Sequence, residues 1–587
     1  MPVRLAPLIA LLVLFAPAAH VAPAAADPAV AAPAAAPDGD PRRAVLAAMR
    51  DELNRSMQQL RLKDYEAPYY IAYAVRENER EEVVGRLGAL YESGHRRDRH
   101  VWAQVRVGGY DLDNTSNEGS TGIDFEGPEL YQPPTEAPLD DNPLALRATL
   151  WLLTDHEYKQ ALGAYARKRG KRATEVSEDE ALPSFSREPV PRAAPPAIDP
   201  PRRAPFDRAA LGERVRRVSA LFRGYPELFD ASVRIAVDHQ VRWLTTSEGT
   251  EVVGERAIYG THISATTRAP DGMLLEHEKA FFGAEPGEVP DEATLGKALA
   301  TLAGELRALR EAKVVDPYTG PAILMQQAAG VFFHEAVGHR LEGERQNNEK
   351  EGRTFKGQIG QPILPVFLSV HDDPTLARVD TPAGPVSLNG YYTYDDEGVP
   401  ARDVALIDKG VLRDYLMSRT PIKGSLRSNG HGRAEGVAAP MGRMANLVVR
   451  SSRRVSEARL KQMLIEEVRK QGKPYGLIIR DITGGATNTS NYGFQAFKGQ
   501  PRLVYRVDAK TGAETLVRGV EMVGTPLASI NKIVAASDTE GVFNGYCGAE
   551  SGFVPVSTLA PAVLMTEIEL QRSERAMERP PVIPPPF

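Results

Sequence analysis

Cysteine is almost absent from this chain of 587 residues, since Cys547 is the only one. One thiol cannot form an intramolecular disulfide, which excludes a fold held together by disulfide bonds. The chain also lacks a strong charge of either sign, because 71 Lys and Arg residues nearly balance 77 Asp and Glu residues and leave a net charge of -6. Such weak acidity provides no basic surface for DNA or RNA, so we expect no nucleic-acid partner.

Long apolar runs are missing beyond the N-terminus. There, Arg4 precedes an apolar segment at residues 5–15, and three alanines end at Ala26. This pattern predicts a signal peptide over residues 1–26, with an uncleaved N-terminal anchor as the alternative. We therefore expect a periplasmic or secreted protein without a stable membrane span after signal removal. A free thiol is a liability in an oxidising compartment unless it is buried or metal-bound, which favours a ligand role for Cys547.

The remaining chain is long enough for two or more domains, and its predicted elements indicate an α+β fold. Apolar residues at helical spacing predict helices at residues 42–61, 144–167, 295–312 and 455–471. We predict a disordered Ala/Pro-rich segment at residues 27–40, followed by an N-terminal α/β domain at residues 41–316 with a Pro-rich loop at residues 189–205. A β-rich C-terminal domain with the metal-binding helix then covers residues 317–575, and a disordered Pro-rich tail covers residues 576–587.

The most informative segment carries two histidines and an acid on a predicted helix, His334-Glu335-Ala-Val-Gly338-His339. In the common H-E-x-x-H motif the two His lie about 40° apart on a helix, whereas a spacing of five residues separates them by about 140°. A regular helix would not direct both rings at one metal ion. We therefore predict that the helix bulges or breaks, with Gly338 as the place for that distortion.

Two imidazoles can hold zinc, and a neighbouring carboxylate can take a proton from water that zinc has activated. A catalytic zinc needs a third protein ligand. Cys547 and Glu342 are both candidates on chemical grounds, and the spacing alone does not decide between them. Without a metal, a lone cysteine is usually a small buried apolar residue.

The segment around this motif resembles the TldD/PmbA family, also called modulator of DNA gyrase. The resemblance covers roughly residues 320–570 and extends through several ordered motifs: Leu341-Glu-Gly343, Gly357-Gln-Ile-Gly360, Tyr394-Asp-Asp-Glu-Gly-Val-Pro400, residues 406–419, Ser428-Asn-Gly-His-Gly-Arg433, Pro440-Met-Gly-Arg-Met-Ala-Asn446 and Tyr546-Cys-Gly548. The chain departs from the family at Glu344, where an Asp is usual, and in its predicted export signal. The N-terminal half matches only diffusely.

The resemblance implies a zinc metallopeptidase of the catalytic type, with one zinc ion per chain. It implies His334, His339 and Cys547 as metal ligands and Glu335 as the general base. Glu342 then has a supporting role. The resemblance also implies a dimer, either of two identical chains or with a metal-free paralogue.

Other polar residues have competing explanations. His431 and Arg433 lie in a Gly-rich stretch shared with the family. They would either stabilise an oxyanion or contact the substrate, or pack within the loop. The sequence His371-Asp372-Asp373 is either a second metal site or a solvated turn before Pro374, and the turn is favoured.

The sequence thus predicts an exported zinc-dependent endopeptidase that hydrolyses extended or unfolded peptides. Metal-activated water and a glutamate base would perform the reaction. Two alternatives remain: a non-catalytic binding subunit of a peptidase complex, and a metal-dependent amide hydrolase that acts on non-peptide or cell-wall substrates.

Overall fold

The computed structural model describes residues 40–115, 131–174, 182–188, 197–348, 351–382, 384–487, 489, 497–524, 526–573, 577–579, 581 and 583–587. The predicted signal peptide, the segment 27–39 and half of the predicted Pro-rich loop lie outside the described residues. Among the described residues, no helix has both the length and the apolar character needed to cross a membrane.

The first part of the chain forms a β-sheet with helices. Its elements are α1 (Arg42–Gln59), β1 (Pro68–Arg86), β2 (Ala89–Val107), α2 (Pro143–Thr174), β3 (Ala197–Ile198), α3 (Arg208–Ala220), β4 (Asp230–Thr246), β5 (Glu251–Arg268), β6 (Leu274–Gly283) and α4 (Glu292–Glu311). The strand order is β2-β1-β4-β5-β3, and β6 also pairs with β5. All these pairs are antiparallel except β3–β5.

The helices cover one face of this sheet. Alternate β1 residues Ile71, Tyr73 and Val75 are fully buried and pack with α1 and α2, as expected when successive strand side chains point to opposite faces. Helices α3 and α4 cover the other end of the same face. Asp207 and Asp291 cap these two helices by accepting a backbone N–H from the first turn.

The second part of the chain is built around a large sheet. Its elements are β7 (Lys313–Val314), β8 (Tyr318–Leu324), α5 (Gln326–Ala336), β9 (Leu368–Asp372), β10 (Arg378–Thr381), β11 (Gly384–Ser387), β12 (Val404–Asp408), β13 (Val411–Leu412), β14 (Gly432–Arg433), β15 (Met441–Gly442), β16 (Asn446–Ser451), β17 (Arg454–Val455), α6 (Glu457–Lys470), β18 (Tyr475–Thr487), β19 (Phe497–Asp508), β20 (Glu514–Arg518), β21 (Val520–Gly524), α7 (Pro526–Ile530), β22 (Ile533–Ala549) and β23 (Gly552–Arg572). The main strand order is β13-β12-β9-β16-β23-β8-β18-β19-β20-β7, and β22 pairs with β23.

Helix α5 lies in the core of this second part. Strand β8 leads directly into it, and all its residues from Ala328 to Ala336 are buried. The helix packs against β18, β22 and β23. A helix that is buried on all sides has to be apolar all round. Its buried His334 and Glu335 are therefore the exceptions that need an explanation.

The structure confirms the predicted α+β class and the four predicted helices, which are α1, α2, α4 and α6. Two details differ from the sequence prediction. Ala197–Ile198 form β3 inside the predicted Pro-rich loop, because they pair with Val252 and Val253 at the edge of β5. Met577, in the predicted disordered tail, forms a β-bridge with Met273.

Candidate metal centre

The motif helix breaks between its two histidines, as the sequence predicts. Helix α5 ends at Ala336, Val337 has φ -116° and ψ -57°, and a 3-10 turn follows at Gly338–Leu341. A Cβ atom on Gly338 would lie only 2.0 Å from the sulfur of Met444, so a side chain at this position would clash with Met444. The break brings the rings of His334 and His339 to a centroid distance of 5.0 Å with perpendicular planes.

Strand β22 brings Cys547 to the two histidines. Its Sγ lies 3.4 Å from His339 Nε2, and the ligand atoms of His334, His339 and Cys547 all lie within 4.8 Å of one another. All three residues are buried. Burial raises the pKa of the Cys547 thiol, but the two histidines lower it more, and the resulting pKa is well below its ordinary value. The arrangement therefore favours a thiolate, the form of cysteine that binds metal.

Glu342 lies on the opposite side of His339. Its Oε1 is 3.2 Å from His339 Nδ1, and its Oε2 accepts a hydrogen bond of 2.7 Å from Arg345 Nε. Burial raises the pKa of Glu342, but His339 and Arg345 outweigh it and hold the pKa below its usual range. A carboxylate at Nδ1 fixes the ring and leaves Nε2 free to bind a metal. The structure thus gives Glu342 a contact with a candidate ligand, while Cys547 is the residue that lies together with both histidines at metal-site spacing.

Glu335 lies beside the candidate ligands. Its carboxylate Oε2 is 4.0 Å from His339 Nε2, and the residue is 7% exposed. The backbone of Gly485 on β18 presses against it, because a Cβ on that glycine would lie 2.5 Å from Glu335 Cγ. Strand β18 pairs with β8 only through residues 477–479, so among the described residues no strand pairs with that edge at Gly484 and Gly485.

Two arginines at the centre were not predicted as site residues. Arg443 is fully buried and donates hydrogen bonds from Nη2 to the Cys547 carbonyl and, at 3.2 Å, to Cys547 Sγ. Arg340 donates to the Glu335 carbonyl at 2.7 Å, and therefore caps the end of the broken helix. Arg443 lies within the family-like motif at residues 440–446, which was the only available signal for it.

His431 and Arg433 are buried but serve the surrounding loops. His431 Nε2 lies 3.3 Å from Asp372 Oδ1, and Asp372 accepts a backbone hydrogen bond from Ala445. Arg433 donates to the carbonyls of Met444 and Pro555. These contacts support the loop-packing explanation.

The His371-Asp372-Asp373 segment likewise contains no metal-site geometry among the described residues. His371 Nδ1 lies 3.0 Å from Asp403 Oδ1, whereas Asp372 points to backbone amides of the adjacent segment. The single group of His, Cys and acidic side chains with metal-site spacing in the described part of the chain is His334, His339 and Cys547.

The donor set at this centre fits zinc. Two imidazoles and one thiolate form a three-ligand set of the kind found in catalytic zinc sites, which leave one position for water or substrate. His334 Nδ1 is buried, and no hydrogen-bond partner for it lies in the described part of the chain. A buried polar nitrogen without a partner is costly, and a metal ion bound at this nitrogen would remove that cost.

Comparison with known proteins agrees with this geometry. Residues 317–572 match the family model of the PmbA/TldA metallopeptidase C-terminal domain. The chain is 30% identical over 245 residues to a metalloprotease of Archaeoglobus fulgidus, covering 41% of this chain and 51% of that protein. It is 24% identical over 334 residues to the zinc metalloprotease TldD homolog of Saccharolobus solfataricus, covering 55% of this chain and 67% of that protein.

The chain therefore spans about half the length of the Archaeoglobus relative. Among solved structures, TldE from Thermococcus kodakarensis has the same fold, with a TM-score of 0.56 and 13% identity over 89% of this chain and 100% of that chain. Residues 317–572 of this chain thus resemble the PmbA/TldA metallopeptidase C-terminal domain, and the chain is similar to metalloproteases of the TldD type.

Proposed function

We propose that this protein is a zinc-dependent endopeptidase that hydrolyses extended or unfolded peptides. The observation that carries the proposal is the convergence of His334, His339 and Cys547, with Glu335 beside them. The metalloprotease names of its relatives support the same activity. When bound, zinc supplies an acidified water ligand and polarises the scissile carbonyl.

The protein side of the reaction rests on Glu335. Its carboxylate accepts a proton from the attacking water and passes it to the leaving amine. The separation of 4.0 Å from His339 Nε2 supports this role, because it keeps the carboxylate close to the ligand face of the imidazole. Glu342 and Arg345 keep the His339 ring in one orientation through the ion pair at Nδ1.

The substrate lies along the open edge of β18. Gly484 and Gly485 expose backbone there, directly beside Glu335, and an extended peptide pairs with such an edge through main-chain hydrogen bonds. This mode of binding depends on hydrogen bonds to the peptide backbone more than on contacts with its side chains, so it tolerates many sequences. It also requires an unfolded segment, which favours loose peptides over folded proteins.

We propose further that the protein is exported after removal of residues 1–26 and that it works as a dimer. N-terminal sequencing of protein from the expressing cell tests the first point, with a start at Asp27 expected and a start at Met1 contradicting it. Light scattering of the purified chain tests the second point. A monomer that stays inactive until a metal-free paralogue is added would identify a heterodimer.

The activity is tested with the variant Glu335→Gln. We expect purified wild-type protein loaded with zinc to cleave an unfolded polypeptide, and the variant to bind equal zinc and lose cleavage by a factor of about 10² to 10⁴. Cleavage at the wild-type rate by the variant would refute the role of Glu335. A wild type that cleaves cell-wall fragments and no peptide would establish the amide-hydrolase alternative, and one that binds peptide without cleaving anything would establish the binding subunit.

A further inference from the structure

We infer that Arg443 is a positioning residue of the metal centre, which holds the Cys547 thiolate and tunes its bond to the metal. The inference rests on the proposed zinc site. It concerns a residue outside the three ligands and the proposed base. The geometry of one guanidinium group carries it.

Arg443 is fully buried, and each of its nitrogens has a defined neighbour. Nη2 donates to the Cys547 carbonyl at 2.7 Å and to Cys547 Sγ at 3.2 Å. Nη1 donates to Ser551 Oγ at 2.8 Å and to the Gly552 carbonyl at 3.1 Å. Nε lies 3.2 Å from Glu342 Oε1, the same oxygen that faces His339. The guanidinium group of Arg443 thus contacts Cys547 directly, and it reaches His339 through the carboxylate of Glu342.

This arrangement also fixes the β22–β23 hairpin that carries Cys547. Ser551 lies in its turn and Gly552 begins β23, so Arg443 joins the end of the hairpin to Cys547 on the preceding strand. A lysine cannot replace these contacts, because a single ammonium group lacks the fork that reaches sulfur, turn and carboxylate at once. The two buried anionic groups, the thiolate and Glu342, need such a cation between them.

A hydrogen bond to a thiolate lowers the energy of its sulfur lone pairs. The sulfur then gives less charge to the metal, which keeps the metal more acidic toward water or substrate. Arg443 would therefore act on two measurable quantities: the affinity for zinc and the electronic state of the metal–sulfur bond.

Cobalt(II) makes the second quantity visible, since a thiolate bound to cobalt gives a charge-transfer absorption band. We expect full-length wild-type protein titrated with cobalt to show this band, and Arg443→Lys to show it at longer wavelength, because electrons leave an unbonded sulfur more easily. The zinc dissociation constant of the variant, measured by competition with a chromophoric chelator, should rise about 10- to 100-fold.

Arg433→Lys is the matched control. It removes an equally buried guanidinium that donates to the nearby carbonyls of Met444 and Pro555 and leaves the sulfur contact in place. Its band should stay at the wild-type wavelength. If Arg443→Lys does not fold by circular dichroism, Ser551→Ala provides the test, because it removes one of the two hydrogen bonds of Nη1 and should give a smaller shift in the same direction.

The inference would be overturned if Arg443→Lys and Ser551→Ala showed the band at the wild-type wavelength, or if Arg433→Lys shifted it by the same amount as Arg443→Lys. Either result would leave the proposed zinc site intact. A wild-type protein that binds cobalt without a thiolate band would overturn both, because Cys547 would then not be a ligand.

Discussion

Substitution of Gly338 by alanine tests how the broken helix builds the metal centre. The new Cβ would lie 2.0 Å from Met444 Sδ, 3.0 Å from its Cε and 3.3 Å from its Cγ. Met444 is fully buried, so its side chain cannot relieve the clash by turning into solvent. Gly338 has no positive φ, and the cost of the substitution is therefore steric. Overpacking of this kind costs about 1–3 kcal/mol.

The strain affects the metal centre because each of the two clashing residues is adjacent in sequence to a residue of that centre. Gly338 precedes His339, and Met444 follows Arg443, which holds Cys547. If the protein relieves the clash by moving the turn, the same energy appears as a zinc dissociation constant about 5- to 150-fold higher. We expect Gly338→Ala to show both effects in urea unfolding of the zinc-free protein and in chelator competition.

Two further variants make this prediction specific. Gly304→Ala on α4 is the control, since no atom lies within 4 Å of its new Cβ, and it should be about 1 kcal/mol more stable than wild type with unchanged zinc affinity. The double variant Gly338→Ala/Met444→Ala removes the clashing sulfur and should recover zinc affinity. Wild-type stability and zinc affinity in Gly338→Ala would refute the account of the turn.

Two other predictions concern the surroundings of the site. Gly485→Ala should retain zinc but lose about 10²-fold or more in kcat/KM, because its Cβ displaces Glu335. The control Gly304→Ala, which has open space around its new Cβ, should keep wild-type activity, and equal rates in both variants would contradict this. Burial raises the pKa of Glu344 from 4.5 to about 6, although Gly442 donates a backbone hydrogen bond to it. The folded protein thus holds this proton more tightly than the unfolded chain, and stability is lost as pH rises from about 4.5 to 6. Glu344→Gln should remove that loss. In urea unfolding, the free energy of unfolding of the variant relative to the wild type should therefore be about 2 kcal/mol more favourable at pH 8 than at pH 4. A difference between the two proteins that does not depend on pH would refute this prediction.

The local sequence pattern was sufficient to predict the helices that have a clear apolar period and the break in the motif helix. The amphipathic α1 and α6 follow from apolar spacing, and the break before Gly338 follows from two histidines that a regular helix would separate. The family resemblance supplied the pairing of the motif with Cys547. Periodicity alone could not supply it, because 208 positions separate Cys547 from His339 and only the sheet brings them together.

The supporting residues were beyond sequence reasoning for a related reason. Arg443 has no local pattern that distinguishes it from a surface arginine, and its role depends on contacts with Glu342 and Cys547 from distant segments of the chain. His431 and Arg433 show the opposite case. Their Gly-rich motif left both an oxyanion role and loop packing open, with loop packing slightly favoured, and in the folded chain their hydrogen bonds go to neighbouring backbone. Such assignments depend on tertiary contacts, which a one-dimensional pattern does not contain.

The central claim is that His334, His339 and Cys547 together hold one zinc ion, and metal content tests it most directly. Purified wild-type protein and Cys547→Ser would be reconstituted with zinc, desalted and measured by elemental mass spectrometry. We predict about one zinc per wild-type chain and a strong reduction in the variant. Wild-type protein that retains no zinc after reconstitution, or a variant that retains as much zinc as the wild type, would contradict the claim.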